Sequence, residues 1–151
     1  MIHHERNLTI DAAPESVWAV LSQYMHIDAF APQITSVDAL TYGEVGKGSK
    51  RRNHFANGTS VVEEVTAWKP GSGYTVKLSE MAAMPLHEAS SEIRITPIGG
   101  KSKVTWTFNY RVKYGPIGWL MGQTMMKMMM GKIIVANLQG LSEKVRLGRS
   151  E

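Results

Sequence analysis

The chain has 151 residues, of which 43% are hydrophobic, a formal net charge of +4 at pH 7 and no cysteine. A chain of this length can bury a substantial core without metals or disulfides. The absence of cysteine excludes disulfides, thiol catalysis and thiolate metal sites. The basic residues are scattered, apart from a group between Lys47 and Arg52. Because nucleic-acid-binding proteins usually gather such charge on one face beside aromatic residues, we expect no nucleic-acid partner.

Signals for targeting and for membrane insertion are weak. The first residues, Met1 to Arg6, have neither the basic nor the apolar region of a signal peptide. The most apolar segment, 117–141, is interrupted by polar residues such as Gln123 and Lys132, which a membrane span tolerates poorly. With no linker or repeat, we expect one domain over residues 1–151, no stable membrane insertion and a cytoplasmic location.

The N-terminal part of the sequence predicts one strand and two short helices. The strand fits residues 2–10. We expect Asp11 to cap the helix that follows, with Pro14 and Glu15 in its first turn, where both residue types are favoured. A second short helical or irregular segment is expected over residues 27–34.

The middle of the sequence predicts six strands that are separated by Gly, Pro and Asn turns. Their expected ranges are 36–42, 49–56, 60–68, 74–80, 86–97 and 103–113. The Asn57-Gly58 pair predicts a two-residue type I′ hairpin turn, in which both residues have positive φ. Consecutive strands on short connections predict an antiparallel meander.

Gly115 and Pro116 precede a long C-terminal helix with one mainly apolar stripe, spaced by threes and fours. The stripe comprises Trp119, Gln123, Met126, Met130, Ile133, Asn137 and Leu141. A helix of this kind must lie against a large apolar surface, and the sheet is the one candidate. The sequence therefore predicts an α+β fold in which a curved antiparallel sheet of about seven strands wraps around the helix and leaves a cavity between them.

Several stretches resemble a known family in their order and spacing. They are Ile10–Trp18, Phe30–Pro32, Val45–Arg51, Val62–Pro70, Val104–Phe108 and the terminal helix. With them, the chain resembles the START-like (SRPBCC, Bet v 1-like) superfamily, and within it the polyketide cyclase/dehydrase group. The resemblance implies a helix-grip fold. The superfamily includes lipid carriers, plant hormone receptors, cyclases and ring-hydroxylase subunits, so the fold leaves the function open. The chain departs from the usual pattern at Phe30, where Trp is common, and in its many methionines.

Glu63 is the first candidate for a polar group inside the cavity. It shares a strand face with Val61 and Val65, and it is similar to the inward glutamate of the plant hormone receptors. A carboxylate in a dry pocket is a candidate acid–base group or a hydrogen-bond partner of a ligand. The alternative is that Glu63 only pairs with a strand neighbour such as Arg52.

The remaining acid–base candidates are Arg52, His54 and His87. Arg52 and His54 share a face of the preceding strand, across the hairpin from Glu63, and His87 shares the apolar face of its own strand. An imidazole can serve as a general base near neutral pH. A lone histidine on a strand is more often purely structural, and that is the alternative for both.

Other residues are expected to contact a ligand through apolar surface or an amide. They are Val65, Met84, Trp106, Phe108, Tyr110, Met126, Met130, Ile133 and Asn137. Flexible methionines on the helix can adapt to varied ligands, and the buried amide of Asn137 needs a partner. Met121 and Met128 lie on the polar side of the helix, where neighbouring loops could cover them. An exposed methionine patch there would indicate a homodimer or a transient membrane contact.

Three functions fit these observations. The first is binding of a small hydrophobic ligand, such as a lipid, an isoprenoid or a polyketide-like molecule. The second is a cyclase or aromatase that uses Glu63, Arg52 and a histidine as acid–base groups. The third is a protein-interaction module that uses the methionine-rich helix. The sequence has no nucleophile motif, phosphate loop or metal-binding motif, so we expect no cofactor and no metal.

Overall fold

The computed structural model describes residues 2–81, 86–112 and 127–150. Its elements, in chain order, are β1 (Ile2–Ile10), α1 (Pro14–Leu21), a 3₁₀ helix (Tyr24–Ala29), β2 (Ile34–Ala39), β3 (Lys50–Phe55), β4 (Ser60–Lys69), β5 (Gly73–Ser79), β6 (Leu86–Ile98), β7 (Lys101–Val112) and α2 (Lys127–Ser150). The predicted order of strands and helices is confirmed over these ranges.

The seven strands of the described ranges form one antiparallel sheet in the order β1-β7-β6-β5-β4-β3-β2. From β2 to β7 each strand pairs with its neighbour in the sequence, as a meander requires, and β1 pairs with β7. The sheet curves around the long helix, which confirms the predicted α+β helix-grip fold. Because the sheet is curved and the helix is straight, the two surfaces cannot touch along their whole length.

The helix α2 packs on the sheet through one continuous stripe. Its buried side chains are Met130, Ile134, Asn137, Leu138, Leu141 and Val145. The predicted stripe is therefore rotated slightly, because Ile134 lies on the buried face whereas Ile133 is only partly buried. Trp119, Gln123 and Met126, which begin the predicted stripe, lie outside the described residues.

The C-terminal half of α2 approaches the loop after the 3₁₀ helix very closely. A Cβ atom built on Gly140 would lie 2.0 Å from the backbone oxygen of Phe30. Only a residue without a side chain permits that approach. Gly140 thus allows α2 to lie directly against the backbone of the loop after the 3₁₀ helix.

The first turn of α1 begins later than predicted. Its N-cap is Ala13, in an extended conformation with φ −65° and ψ 152°, and no side chain caps the helix. The prediction that Asp11 is the N-cap is wrong, because Pro14 excludes the helical conformation at the residue directly before it. The second short helix lies at Tyr24–Ala29 rather than over 27–34, since β2 already begins at Ile34.

The hairpin between β3 and β4 also differs from the prediction. Gly58 has a φ of 88°, and Asn57 does not have a positive φ, so the turn is not type I′. The backbone N–H of Gly58 donates to the oxygen of Phe55 at 3.0 Å, and the N–H of Phe55 donates to the oxygen of Thr59 at 2.8 Å. The loop therefore has three residues, 56–58, with glycine in the left-handed position of a bulge.

The additional loop residue sets the register of the two strands. Arg51 lies opposite Glu63, and Arg52 lies opposite Val62. A two-residue loop at Asn57-Gly58 would instead have placed Arg52 opposite Glu63. A shift of one residue exchanges the two faces of a strand, so the residues of β3 that face inward are not the predicted ones.

Over the described ranges, no helix combines the length and the apolar character that crossing a membrane would need.

Candidate functional site

A cavity of about 300 Å³ lies between the concave face of the sheet and α2. Its apolar walls come from the 3₁₀ helix, from β2 to β5, from β7 and from α2. The apolar side chains are Ile27, Ile34, Phe55, Val61, Leu78, Trp106, Phe108, Met129, Met130, Ile133 and Ile134. This volume is at the small end of the range for ligand pockets.

Three exposed residues of the lining mark where the cavity meets solvent. Gln33 lies before β2, Asn57 lies in the β3–β4 loop and Met129 lies in the first turns of α2. Among the described residues, the lining is therefore exposed at the hairpin tip, before β2 and at the start of α2.

The polar part of the cavity wall is organised around the carboxylate of Glu63. Its Oε1 atom accepts hydrogen bonds from Nε of Arg51 at 2.9 Å, from Nη2 of Arg51 at 2.6 Å and from Nδ2 of Asn53 at 2.7 Å. Arg51 and Asn53 are buried, whereas Glu63 retains some exposure and lines the cavity. Cross-strand pairing brings the group together, because Arg51 lies opposite Glu63 in the register.

Arg51 is held from behind by aromatic rings. Its guanidinium lies 3.8 Å from the centroid of the Tyr24 ring, and its Nη1 donates to the backbone oxygen of Tyr24 at 2.5 Å. The Tyr24 hydroxyl in turn donates to the backbone oxygen of Glu63 at 2.9 Å. Such cation–π contacts are stronger when they are desolvated. The arginine is therefore fixed behind the cavity wall.

Burial and charge act in opposite directions on this cluster. Burial alone lowers the pKa of Arg51, but the Glu63 carboxylate, Tyr74 and Tyr24 together raise it above its ordinary value, so the guanidinium stays charged. Burial raises the pKa of Tyr24 and of Tyr74 above the ordinary value, although the arginine partly opposes that effect. Both phenols remain neutral at physiological pH.

Two amide oxygens of the lining have no hydrogen-bond partner. Oδ1 of Asn53 and Oδ1 of Asn137 are both buried and unpaired within the part of the chain that the structure describes. Buried polar atoms normally have a partner, and a lone one calls for an explanation. By contrast, the Ser91 hydroxyl at the cavity wall accepts the indole N–H of Trp106 at 2.9 Å.

The predictions that Arg52 and His54 face the cavity are wrong. Arg52 pairs with Glu80 at 3.1 Å, and Nε2 of His54 lies 2.7 Å from Asp38 Oδ2. Both are on the outer face of β3, because the three-residue loop shifts the strand register by one residue. His54 is therefore not placed to act as a base on a molecule in the cavity.

The other predicted site residues fall into three groups. The lining includes Glu63, Trp106, Phe108, Met130, Ile133 and Asn137. Val65 and Tyr110 are buried in the core but do not line the cavity. Met84 and Met126 lie outside the described residues, as does the side chain of His87, whose backbone forms part of β6.

Arg51 and Asn53 are the site residues that the sequence reasoning missed. They share a strand face with Phe55, and a signal for that face was present in the sequence. If the hairpin loop is given three residues, with glycine last, Arg51 comes opposite Glu63 and Asn53 opposite Val61. The unpaired oxygen of Asn53 has no signal in the sequence, because it depends on the tertiary contacts around the amide.

Two further predictions concern metal binding and the methionine surface. Within residues 2–81, 86–112 and 127–150, no three His, Asp or Glu side chains lie close enough together to hold a metal ion. Met128 and Met129 are exposed near the start of α2, while Met121 lies outside the described residues. A dimer or a membrane contact through this surface stays a prediction.

Solved structures share this fold across nearly the whole chain. The Zhui aromatase/cyclase from Streptomyces sp. R1128 superposes with a TM-score of 0.81 at 16% identity, covering 96% of this chain and 93% of that one. The protein TTHA0849 from Thermus thermophilus gives 0.78 at 19% identity, with 99% and 100% covered. Norcoclaurine synthase from Thalictrum flavum, solved as a point mutant with a transition-state analogue, gives 0.75 at 16% identity, with 98% and 96% covered.

At these identities the similarity establishes the fold alone. No curated protein matches the chain in sequence. The family described as "Polyketide cyclase / dehydrase and lipid transport" matches residues 1–146. Together with the sheet, the long helix and the cavity between them, this match shows that the chain belongs to the polyketide cyclase/dehydrase and lipid transport family.

Proposed function

We propose that this chain binds a small hydrophobic ligand, such as a lipid, an isoprenoid or a polyketide-like molecule, in the cavity between the sheet and α2. The observation that carries the proposal is the lining of that cavity. Eleven of its eighteen described residues are apolar, and those residues come from both the sheet and the helix. Burial of an apolar molecule against a lining of this composition removes apolar surface from water, which is favourable.

The position of the cavity also supports binding. It opens between the hairpin tip and the first described turns of α2, where Met129 lies, so a ligand has a short path from solvent. Met130 borders the interior, and a methionine can change rotamer to fit ligands of different shape. Both features suit reversible binding of a ligand that must enter and leave.

The test uses the purified full-length chain and a cavity-filling variant. Ile133→Trp places an indole in the cavity, whereas Val135→Trp places the same ring on the exposed side of the same helix. We expect Ile133→Trp to weaken binding of the apolar fluorophore N-phenyl-1-naphthylamine at least tenfold and Val135→Trp to leave it unchanged. Native mass spectrometry of the wild-type protein should in addition reveal a co-purified small molecule. Wild-type protein that binds no fluorophore would refute the proposal.

A second candidate function is a cyclase or aromatase, which the position of Glu63 favours. Among the described lining residues, Glu63 is the one ionisable side chain, so a general acid or base acting on a bound chain would come from it. The cavity walls would hold a reactive chain in a folded conformation. However, three N–H donors already occupy Oε1, which leaves Oε2 for any proton transfer.

The two candidates differ in their response to Glu63→Gln. In an enzyme, this variant should lose at least a hundredfold in the rate of cyclisation of a synthetic poly-β-ketone thioester, measured by mass spectrometry of the products, while it still binds the fluorophore. A binding protein gives no product above background in either form. Cyclisation at the same rate in both forms would exclude Glu63 as the acid–base group.

A further inference from the structure

The two unpaired amide oxygens indicate the chemical class of the ligand more narrowly than the apolar walls do. Asn53 is 2% exposed and Asn137 is 7% exposed, and the Oδ1 atoms of both are buried without a partner in the described ranges. The two residues come from opposite sides of the cavity, one from β3 and one from α2. Each oxygen is a hydrogen-bond acceptor that lost its water on folding, which is costly unless something else donates to it.

The orientation of the Asn53 amide is fixed by its neighbours. Nδ2 donates to Oε1 of Glu63 at 2.7 Å, and that oxygen is itself held by Nε and Nη2 of Arg51. A flipped amide would bring its oxygen against the carboxylate oxygen, with no proton between them. Oδ1 of Asn53 is therefore the atom left without a partner.

The cavity wall exposes a carboxylate, that of Glu63, whose charge is paired with Arg51 behind it. Glu63 is the one ionisable side chain among the described lining residues, and Oε2 has no hydrogen bond within them. Arg51 is not among the lining residues, and its Nε, Nη1 and Nη2 atoms already donate to Glu63 and to the backbone of Tyr24. No cationic side chain of the described lining is available to pair with an acidic headgroup.

From these three observations we infer the class of ligand: a mainly apolar molecule that carries a neutral hydrogen-bond donor, such as a phenol or an alcohol, rather than a carboxylic acid. Its donor binds Oδ1 of Asn53, Oδ1 of Asn137 or both. A carboxylate would meet the acceptor oxygen of Asn53 and the carboxylate of Glu63 and would find no cationic side chain among the described lining residues, so we expect a fatty acid anion to bind more weakly than a neutral donor. This inference rests on the proposed function, because it requires that the cavity takes up an apolar molecule.

The test compares three ligands of the same two-ring size at neutral pH: naphthalene, 2-naphthol and 2-naphthoate. Their affinities are measured by displacement of N-phenyl-1-naphthylamine from the full chain. The variants are Asn53→Leu and Asn137→Leu, which keep the side-chain size while removing the acceptor. The matched control is Asn7→Leu, since Asn7 is an exposed asparagine on β1 outside the cavity. The ratio of 2-naphthol to naphthalene affinity within each variant cancels general changes in packing.

We expect this ratio to fall about tenfold in Asn53→Leu or Asn137→Leu and to stay constant in Asn7→Leu, as for the loss of one buried hydrogen bond. We also expect 2-naphthoate to bind the wild type at least tenfold more weakly than 2-naphthol. An unchanged ratio in both variants, or 2-naphthoate bound as tightly as 2-naphthol, would overturn the ligand class while the cavity still binds. If none of the three displaces the fluorophore and the fluorophore itself does not bind, the proposed function fails too.

Discussion

Arg51 and Arg52 are neighbours in the sequence and lie on opposite faces of β3, and each forms an ion pair with a glutamate of another strand or its end. On the inner face, the side chains of Arg51 and Glu63 are 2% and 12% exposed. On the outer face, the side chains of Arg52 and Glu80 are 27% and 61% exposed. The same two residue types thus meet in a dry cavity wall and in solvent.

The difference between the faces shows that burial, not residue type, decides what an ion pair does. A buried pair is costly to form, because both charges lose water, and even more costly to break, because one charge is then left alone. An exposed pair gains little, because water and salt screen it. On the inner face the pair orients the side chain of Asn53 at the cavity. On the outer face the pair contributes little to the stability of the sheet.

The largest effect is expected for Arg51→Met. Removing the guanidinium leaves the Glu63 carboxylate in the wall with Asn53 as its one remaining donor among the described residues, so we expect the free energy of unfolding to fall by about 3–5 kcal/mol. Urea denaturation followed by tryptophan fluorescence measures the loss. A decrease below about 1 kcal/mol would mean that the inner pair behaves like a surface pair.

A double variant keeps this prediction testable if Arg51→Met does not fold. Arg51→Met combined with Glu63→Leu removes both charges and replaces them with apolar side chains of similar size. Because such replacements are often neutral, we expect it to recover most of the lost stability. A double variant as unstable as the single one would show that packing against Tyr24, rather than charge, dominates the contribution of Arg51.

The second effect is a loss of stability at high pH, which originates on the inner face. Burial raises the pKa of Tyr24 and of Tyr74 above the ordinary value of 10.0. Above pH 10 the unfolded chain releases these protons while the folded chain keeps them, so stability is fully present below that pH and falls as the pH rises. The expected slope is about 1.4 kcal/mol per pH unit for each tyrosine.

Denaturant unfolding at a series of pH values from neutral to strongly alkaline measures this slope. In Tyr74→Phe the slope should decrease by the contribution of one tyrosine. Tyr42→Phe provides the matched control, because Tyr42 is an exposed tyrosine outside the cluster, and it should keep the wild-type slope. Equal slopes in Tyr74→Phe and the wild type would contradict the assignment to the inner-face ring cluster.

The smallest effect is expected for Arg52→Met on the outer face. The variant loses the 3.1 Å pair with Glu80 and a long contact to the Ser60 hydroxyl. We expect a change of about 0–1 kcal/mol, which decreases further at high salt. Fluorophore binding should stay unchanged, since Arg52 does not line the cavity. A loss as large as that of Arg51→Met would remove the distinction between the two faces.

Regular patterns in the sequence were sufficient to predict most of the fold. On β7, Trp106, Phe108 and Tyr110 were expected to face the cavity, and all three are buried. The spacing by threes and fours on α2 likewise predicted a helix against the sheet, with only a small rotation of the buried stripe. Such patterns succeed because one side of each element must leave water, which the sequence encodes directly.

The site was predicted less well, and the reason is one loop residue. The parity of β4 placed Glu63 correctly at the cavity, since Val61 and Val65 share its face and are buried. The predicted inward face of β3 was wrong. Arg51, Arg52, Asn53 and His54 are all polar, so no hydrophobic alternation identifies the inner face of this strand. Which residues of β3 face inward then depended on the length of the β3–β4 loop. The pair Asn57-Gly58 fits both a two-residue loop and the last two positions of a three-residue loop.

Sequence patterns were therefore enough to predict the architecture, an apolar space between sheet and helix and the position of Glu63 on its wall. The polar groups that accompany this glutamate, and the atoms that they leave unpaired, follow from the folded structure and were not predicted. The physical reason is the range of the forces involved. Apolar burial acts on whole faces and is repeated along an element, whereas hydrogen bonds are short and directional, so the partners of Glu63 depend on a register that a single residue can shift.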